Sequence, residues 1–197
     1  GWIYTANHPP LYYLWLAPVY MATDHLDLPA QTHLLRLATI PFGMGMVAFA
    51  WLAARALFRN DLFLRVLIPA FVAFQPQILY ESAIINNDIV AIMFCSGMFW
   101  LLIEGIERKF PWKLTASLGV LYGLAMLGKS TSVTMAVVVG IAMVAGLGWR
   151  NWRSWLPKGA LVAGLGAVII APWQMFMWRT YGNPTALSQI SELQSWW

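Results

Sequence analysis

Apolar runs of about membrane-crossing length recur along almost the whole chain, at about residues 33–58, 62–82, 88–106, 114–129, 131–148 and 157–180. A hydrocarbon layer roughly 30 Å thick takes about 20 mainly apolar residues in helical form, so each run reads as a crossing. Composition agrees, because only 10% of residues are charged, against about 25% in soluble domains. The expected fold is all-α, a polytopic membrane helix bundle of about six transmembrane helices plus an N-terminal interfacial helix. Residues 1–197 form one transmembrane domain, since no internal repeat, low-complexity tract or long polar linker sets off a second.

The N-terminal stretch PPLYYLWLAPVYMATDH holds only about 14 apolar-rich residues, with Pro18 inside. It reads as an interfacial or re-entrant helix, or else as a short span. The chain starts at Gly1, no secretory leader precedes the apolar text, and it ends in polar sequence at Trp197. It is therefore expected to be an internal piece of a longer protein.

The basic residues give an orientation. Arg55, Arg59, Arg65, Arg108, Lys109, Lys113, Arg150, Arg153 and Lys158 sit in the linkers after the first, third and fifth runs, nine of the twelve Lys and Arg. The positive-inside rule puts those linkers in the cytoplasm. The segments YESAIINND, GKSTS and RTYGNP then face outward, with Asp24, Asp27, Glu81, Asp88 and Glu192 on the same side. The expected setting is an integral, multi-pass protein of a bacterial inner membrane. The pI of 9.4 does not signal nucleic acid, because the basic residues form short clusters rather than one stripe. Cys95 is the single cysteine and lies mid-span, so there is no disulfide framework.

GLAMLGKS, residues 123–130, matches the phosphate-cradling pattern G-x-x-x-x-G-K-[ST]. A true P-loop is a polar turn between a strand and a helix. Here the match ends an apolar helix, carries Leu and Met where polar residues belong, and points Lys129 away from cytosolic ATP. It is read as a coincidence, with no nucleotide cofactor. Gly119 and Gly123 instead suit a close approach of two helices.

Ionisable groups near membrane depth are costly and mark functional sites. On the outer side they fall in three places. In NHPPLYY, the Pro pair fixes His8 at the helix start above two aromatic rings. That His holds a phosphate when protonated, a metal when neutral, or shuttles protons; otherwise it is an interfacial His in a Tyr belt. His25 and His33 have no fixed partner spacing and read as ordinary interface. In YESAIINND, Glu81 and Asp88 stand seven residues apart, on one face if the stretch is helical, and Asn86-Asn87-Asp88 also reads as an N-cap. Lys129 either snorkels to the surface or offers a point charge to a phosphate beside Ser130, Thr131 and Ser132.

HPPLYYLWL, then LPAQTHLLRLATIPFGMGMVAFAWLAARALF, then FVAFQPQILYESAIINNDIVAIMFCSGMFWLL resembles the core of GT-C superfamily membrane glycosyltransferases, among them protein O-mannosyltransferases and lipid A aminoarabinose transferases. LYGLAMLGKST and APWQMFMWRTYGNPTA fit later segments of the same pattern, and the likeness covers nearly the whole chain. The resemblance implies an enzyme that moves a sugar from a polyprenyl-phosphate carrier to an acceptor on the non-cytoplasmic face. It implies His8 and Lys129 as phosphate contacts, with Asn87 and Tyr12 beside them. Asp88 would orient the acceptor or help hold a divalent metal, with Glu81 as the second candidate carboxylate. The carboxylate that acts as base is expected before Gly1, which leaves this piece inactive by itself. Two other classes fit a polytopic chain, a transporter or flippase and a non-catalytic scaffold. Transporters place charges on broken helices near mid-membrane, whereas here they sit at span ends.

Overall fold

Proline and glycine decide where these apolar runs bend and where they meet. The computed structural model describes residues 8–182. They form α1 (Leu11–Ala22), α2 (Leu28–Leu37), α3 (Ile40–Leu57), α4 (Leu62–Ala73), α5 (Pro76–Ala83), α6 (Asp88–Arg108) and α7 (Trp112–Gly128), then a 3-10 turn over Ser130–Thr134, α8 (Met135–Leu147) and α9 (Trp152–Tyr181). No strand occurs among the described residues. The fold is an all-helical polytopic bundle, and the chain is a multi-pass integral membrane protein.

The number of crossings differs from the six hydropathic runs. Four helical stretches among the described residues are long and apolar enough to cross, namely Leu28–Leu57, Asp88–Arg108, Ser130–Leu147 and Trp152–Tyr181. The run at 62–82 is instead two helices, α4 and α5, bent by 52°, and counts as a fifth crossing only as a broken one. Pro76 is the cause, because its ring disfavours helical geometry at the preceding residue, and Gln75 is extended at φ −66°, ψ 120°. The fourth run, at 114–129, becomes α7, whose 17 residues span about 25 Å at 1.5 Å each, short of the hydrocarbon layer. It stops at Gly128 because Lys129 turns extended, at φ −152°, ψ 127°. The first run starts earlier than expected, with Asp27 extended ahead of Pro29 in the opening turn of α2. The N-terminal helix α1 is short, with 12 residues.

In lipid, helices gain little from the hydrophobic effect when they associate, so close packing holds them. The most extensive pairing is α7 on α9, followed by α3 on α6 and α6 on α7. Glycine makes the first of these possible. A Cβ on Gly119 would lie 3.0 Å from Leu165 Cβ, and one on Gly123 would lie 2.7 Å from Ile169 Cβ. In return Gly166 of α9 receives the Tyr122 ring. The GLAMLGKS match is thus helix surface packed on α9, continuing into the 3-10 turn.

The far end of α6 is closed by an unusual turn. Lys109 and Phe110 both adopt the left-handed region, at φ 58° and 53°, a conformation that favours glycine. Phe110 compensates by burying its whole ring between Gly105 and Gly146, where any Cβ would collide with it. Lys109 Nζ meanwhile donates to the Gly146 carbonyl at 2.8 Å, one of the acceptors left open at the end of α8.

Candidate functional site

The site forms where the start of α6 meets the end of α7. Gly128 sets that junction, because a Cβ there would come 3.2 Å from the Ala91 amide nitrogen and 3.2 Å from Val90 Cγ1. Asn87 Nδ2 then donates to the Gly128 carbonyl at 3.1 Å. Asn87 is 4% exposed, so its amide ties the two helix ends together away from water. Its side chain makes no cap bond to α6; within the Asn86-Asn87-Asp88 stretch that reads as an N-cap, Asn86 is the residue whose side chain takes up the Asp88 amide.

With the two ends fixed, Lys129 Nζ lies 2.5 Å from Asp88 Oδ1, across 41 residues of sequence. Asp88 is in the first turn of α6, where the helix dipole favours a negative charge. The side chains are 39% and 29% exposed for Lys129 and Asp88, so solvent still reaches the pair. A pair this wet contributes about 1 kcal/mol or less to stability. Its placement therefore bears more on what the cavity can bind than on holding the bundle together.

The pair sits at the edge of a cavity of about 440 Å³ lined by Ala91, Ile92, Cys95, Ser96 and Phe99 of α6 and by Thr131, Ser132, Thr134 and Met135. A cation, a carboxylate and several hydroxyls thus rim an otherwise apolar hollow. Such a site accepts a polar, anionic head on an apolar body.

Glu81 and Asp88 do not share a helix face, because the chain is not helical between α5 and α6. Asn86 bridges them instead. Its Nδ2 donates to Glu81 Oε2 at 2.7 Å, and its Oδ1 accepts from the Asp88 amide at 3.3 Å. Gln77 Nε2 donates to the other Glu81 oxygen at 2.9 Å. Both Glu81 oxygens are therefore held by neutral amides, and the residue braces the loop that presents Asp88.

His8 is half-buried, and its Nδ1 lies 3.5 Å from the Tyr13 hydroxyl. Burial, and then the Asp88 charge, push the Tyr13 phenol above its ordinary range. Tyr13 thus stands between His8 and Asp88, and three of the expected residues, His8, Asp88 and Lys129, gather at one end of the bundle. Tyr12 points the other way, into a cluster with Leu16, Phe42, Ile89 and Val90, and is 1% exposed. Burial, partly offset by the Asn86 backbone and the Thr39 side chain, pushes its phenol up to about 12. No partner reaches the buried Tyr12 hydroxyl in good hydrogen-bond geometry.

A prediction follows for Tyr12. An unpaired buried hydroxyl costs free energy, so Tyr12→Phe in the detergent-solubilised protein is expected to hold or raise stability, by about 1 kcal/mol at most, at pH 8. The phenol ionises near 10 when unfolded and near 12 when folded, so wild-type stability falls as the pH climbs between these values. The variant lacks that fall. Denaturant unfolding at pH 8 and pH 11 checks both; a Phe variant clearly weaker at pH 8 would contradict the burial argument.

Tyr13 and Gly128 escaped the sequence reading as site residues, and Asn86 entered it only as part of an N-cap. The only signal for Gly128 was the P-loop look-alike that contains it, and nothing local tells which of two adjacent tyrosines feels the Asp88 charge. Among the described residues no three His, Cys, Asp or Glu side chains converge as a metal site.

Comparison with known proteins adds one finding. The family model described as dolichyl-phosphate-mannose-protein mannosyltransferase matches residues 7–176. No curated protein and no solved structure gives a significant match. The match takes in His8, Asp88, Lys129 and all the helices that frame them, and this chain belongs to the dolichyl-phosphate-mannose-protein mannosyltransferase family.

Proposed function

We propose that the chain carries the donor-phosphate half of a GT-C type glycosyltransferase site, which takes a sugar from a polyprenyl-phosphate carrier on the non-cytoplasmic face. The observation that carries this reading is the Lys129–Asp88 pair at the mouth of a hollow with hydroxyls at its rim and apolar walls. Family membership supports a membrane glycosyltransferase with a lipid-linked sugar donor. The arginine-rich linkers at the opposite end of α6 support the outward orientation of the pair.

In the reaction the bond between the anomeric carbon and the phosphate oxygen breaks, and an acceptor oxygen bonds to that carbon. The acceptor proton passes to a carboxylate base, and the carrier phosphate leaves with the electron pair. Lys129 meets the charge that grows on the departing phosphate, with His8 as a second contact near Tyr13 and with Asn87 fixing the junction. A phosphate arriving at Lys129 competes with Asp88 for the ammonium, which frees the carboxylate to orient the acceptor or a divalent metal. Glu81 acts through Asn86 as a positioning residue.

The test is sugar transfer by the full-length protein in vesicles supplied with polyprenyl-phosphate sugar. Asp88→Asn is expected to lower kcat about tenfold or more, as loss of an orienting contact does, with little change in unfolding midpoint. Wild-type turnover in that variant, at a saturating acceptor, would remove Asp88 from the site.

A further inference from the structure

We propose that a second lipid site lies at the basic end of the bundle, where an anionic phospholipid places its phosphate among arginines and an acyl chain along the α3–α4 seam. The two ends are well separated, since α6 has 21 residues and so runs about 30 Å from Asp88 to Arg108. This site is independent of the transferase reading.

A cavity of about 510 Å³ between α3, α4 and α6 is lined by Arg55, Arg59, Arg65, Arg108, Glu104 and Trp100, among others. Two of its four arginines have carboxylate partners. Arg59 pairs with Glu107, and Arg108 Nε lies 2.8 Å from Glu104 Oε2. Arg55 and Arg65 have none among the described residues. Arg55 lies over the Trp51 ring at 4.5 Å. Arg65 reaches only the Arg59 carbonyl, at 3.5 Å, and its buried Nε has no partner at all. Two uncompensated guanidiniums therefore converge on one cleft, which favours an anion with several oxygens. Guanidinium donors match phosphate in a forked geometry.

The apolar half of the site continues from the same helix faces. Arg65, Pro69 and Ala73 recur at i, i+4 and i+8 on α4, one face of a helix. Pro69 and Ala73 line an apolar groove of about 570 Å³ with Met44, Val47, Ala48 and Trp51 of α3. Trp51 belongs to that groove and lies under the guanidinium of Arg55, which lines the arginine cleft, so this contact links the two halves. A free phosphate would use the cleft alone, whereas a lipid uses both halves. Basic pockets between transmembrane helices recognise anionic headgroups by this combination.

The test is lipid retention by the delipidated full-length protein, read by native mass spectrometry with phosphatidylglycerol or phosphatidylcholine added. Wild type is expected to keep phosphatidylglycerol in preference, and Arg55→Gln with Arg65→Gln to lower its retention about tenfold while phosphatidylcholine is unchanged. Arg150→Gln with Arg153→Gln, basic residues outside the cleft, should retain it as wild type does. Ala48→Phe, which fills the groove and leaves every charge in place, should also weaken retention, and it serves if the double arginine variant does not fold. Equal loss in both arginine double variants, or no loss in the cleft variants, overturns the proposal. Inorganic phosphate binding through Arg55 and Arg65 with no preference between the two lipids overturns it too, in favour of a free-anion site.

Discussion

Lys129→Ala is expected to lower sugar transfer from the proposed polyprenyl-phosphate donor by about 10²–10³-fold, the usual cost of deleting one donor aimed at developing charge. Folding cannot account for a loss of that size. The pair it breaks is partly exposed and stabilises the bundle by about 1 kcal/mol or less. Lys129→Arg should recover part of the rate, because it keeps the cation but changes its reach and geometry. Asp88→Asn combined with Lys129→Ala should cost less than the product of the single losses, since the two groups form one ion pair and losses at residues in contact do not simply add. Measuring kcat and KM for these three variants in vesicles settles the role. A Lys129→Ala enzyme within twofold of wild type would mean that the ammonium does not touch the donor.

Gly128→Val is expected to cost nearly as much activity without removing any polar group. A Cβ at Gly128 already meets the backbone of Ala91 at 3.2 Å, and backbone cannot swing aside as a side chain can. The γ-methyls of valine force the end of α7 away from α6, which stretches the Asn87 bond to the Gly128 carbonyl and shifts Lys129 from Asp88. Overpacking of this kind costs about 1–3 kcal/mol, and a misplacement of roughly 1 Å at the reacting groups can cost about 10²-fold in rate. Gly140→Val is the matched control, because nothing lies within 4 Å of a Cβ there. Transfer assays and unfolding midpoints on both variants test the claim; equal activity in the two would show that the junction tolerates displacement and does not position Lys129.

Much of the architecture was legible in the sequence, and the exceptions have local causes. Hydropathy located every apolar run, because the bilayer selects for length and polarity, which a single segment carries by itself. It counted six crossings because it registers apolar content, not continuity. Pro76 breaks one run at Gln75, and α7 is only 17 residues long. Gly119 and Gly123 were readable as a contact face because small residues on one helix side have few other uses in lipid.

The site was readable only in part. His8, Asp88 and Lys129 stood out because charge near membrane depth needs a reason. Their grouping could not be read, since Asp88 and Lys129 are 41 residues apart and many rotations of α6 against α7 would keep them apart. The seven-residue spacing of Glu81 and Asp88 suggested a shared face, but that inference needs an unbroken helix and the chain breaks between α5 and α6.

The sequence by itself therefore determined the class of the protein, its helices and the ends at which its charges lie, because these follow from neighbouring residues and from the solvent. Tertiary structure alone decided that Asn87 ties the helix ends, that Lys129 meets Asp88 and that Tyr13 rather than Tyr12 faces them. Those facts depend on how far one helix is turned and slid against another, and that offset is fixed by close contacts such as Gly128 on Ala91, which no single segment encodes.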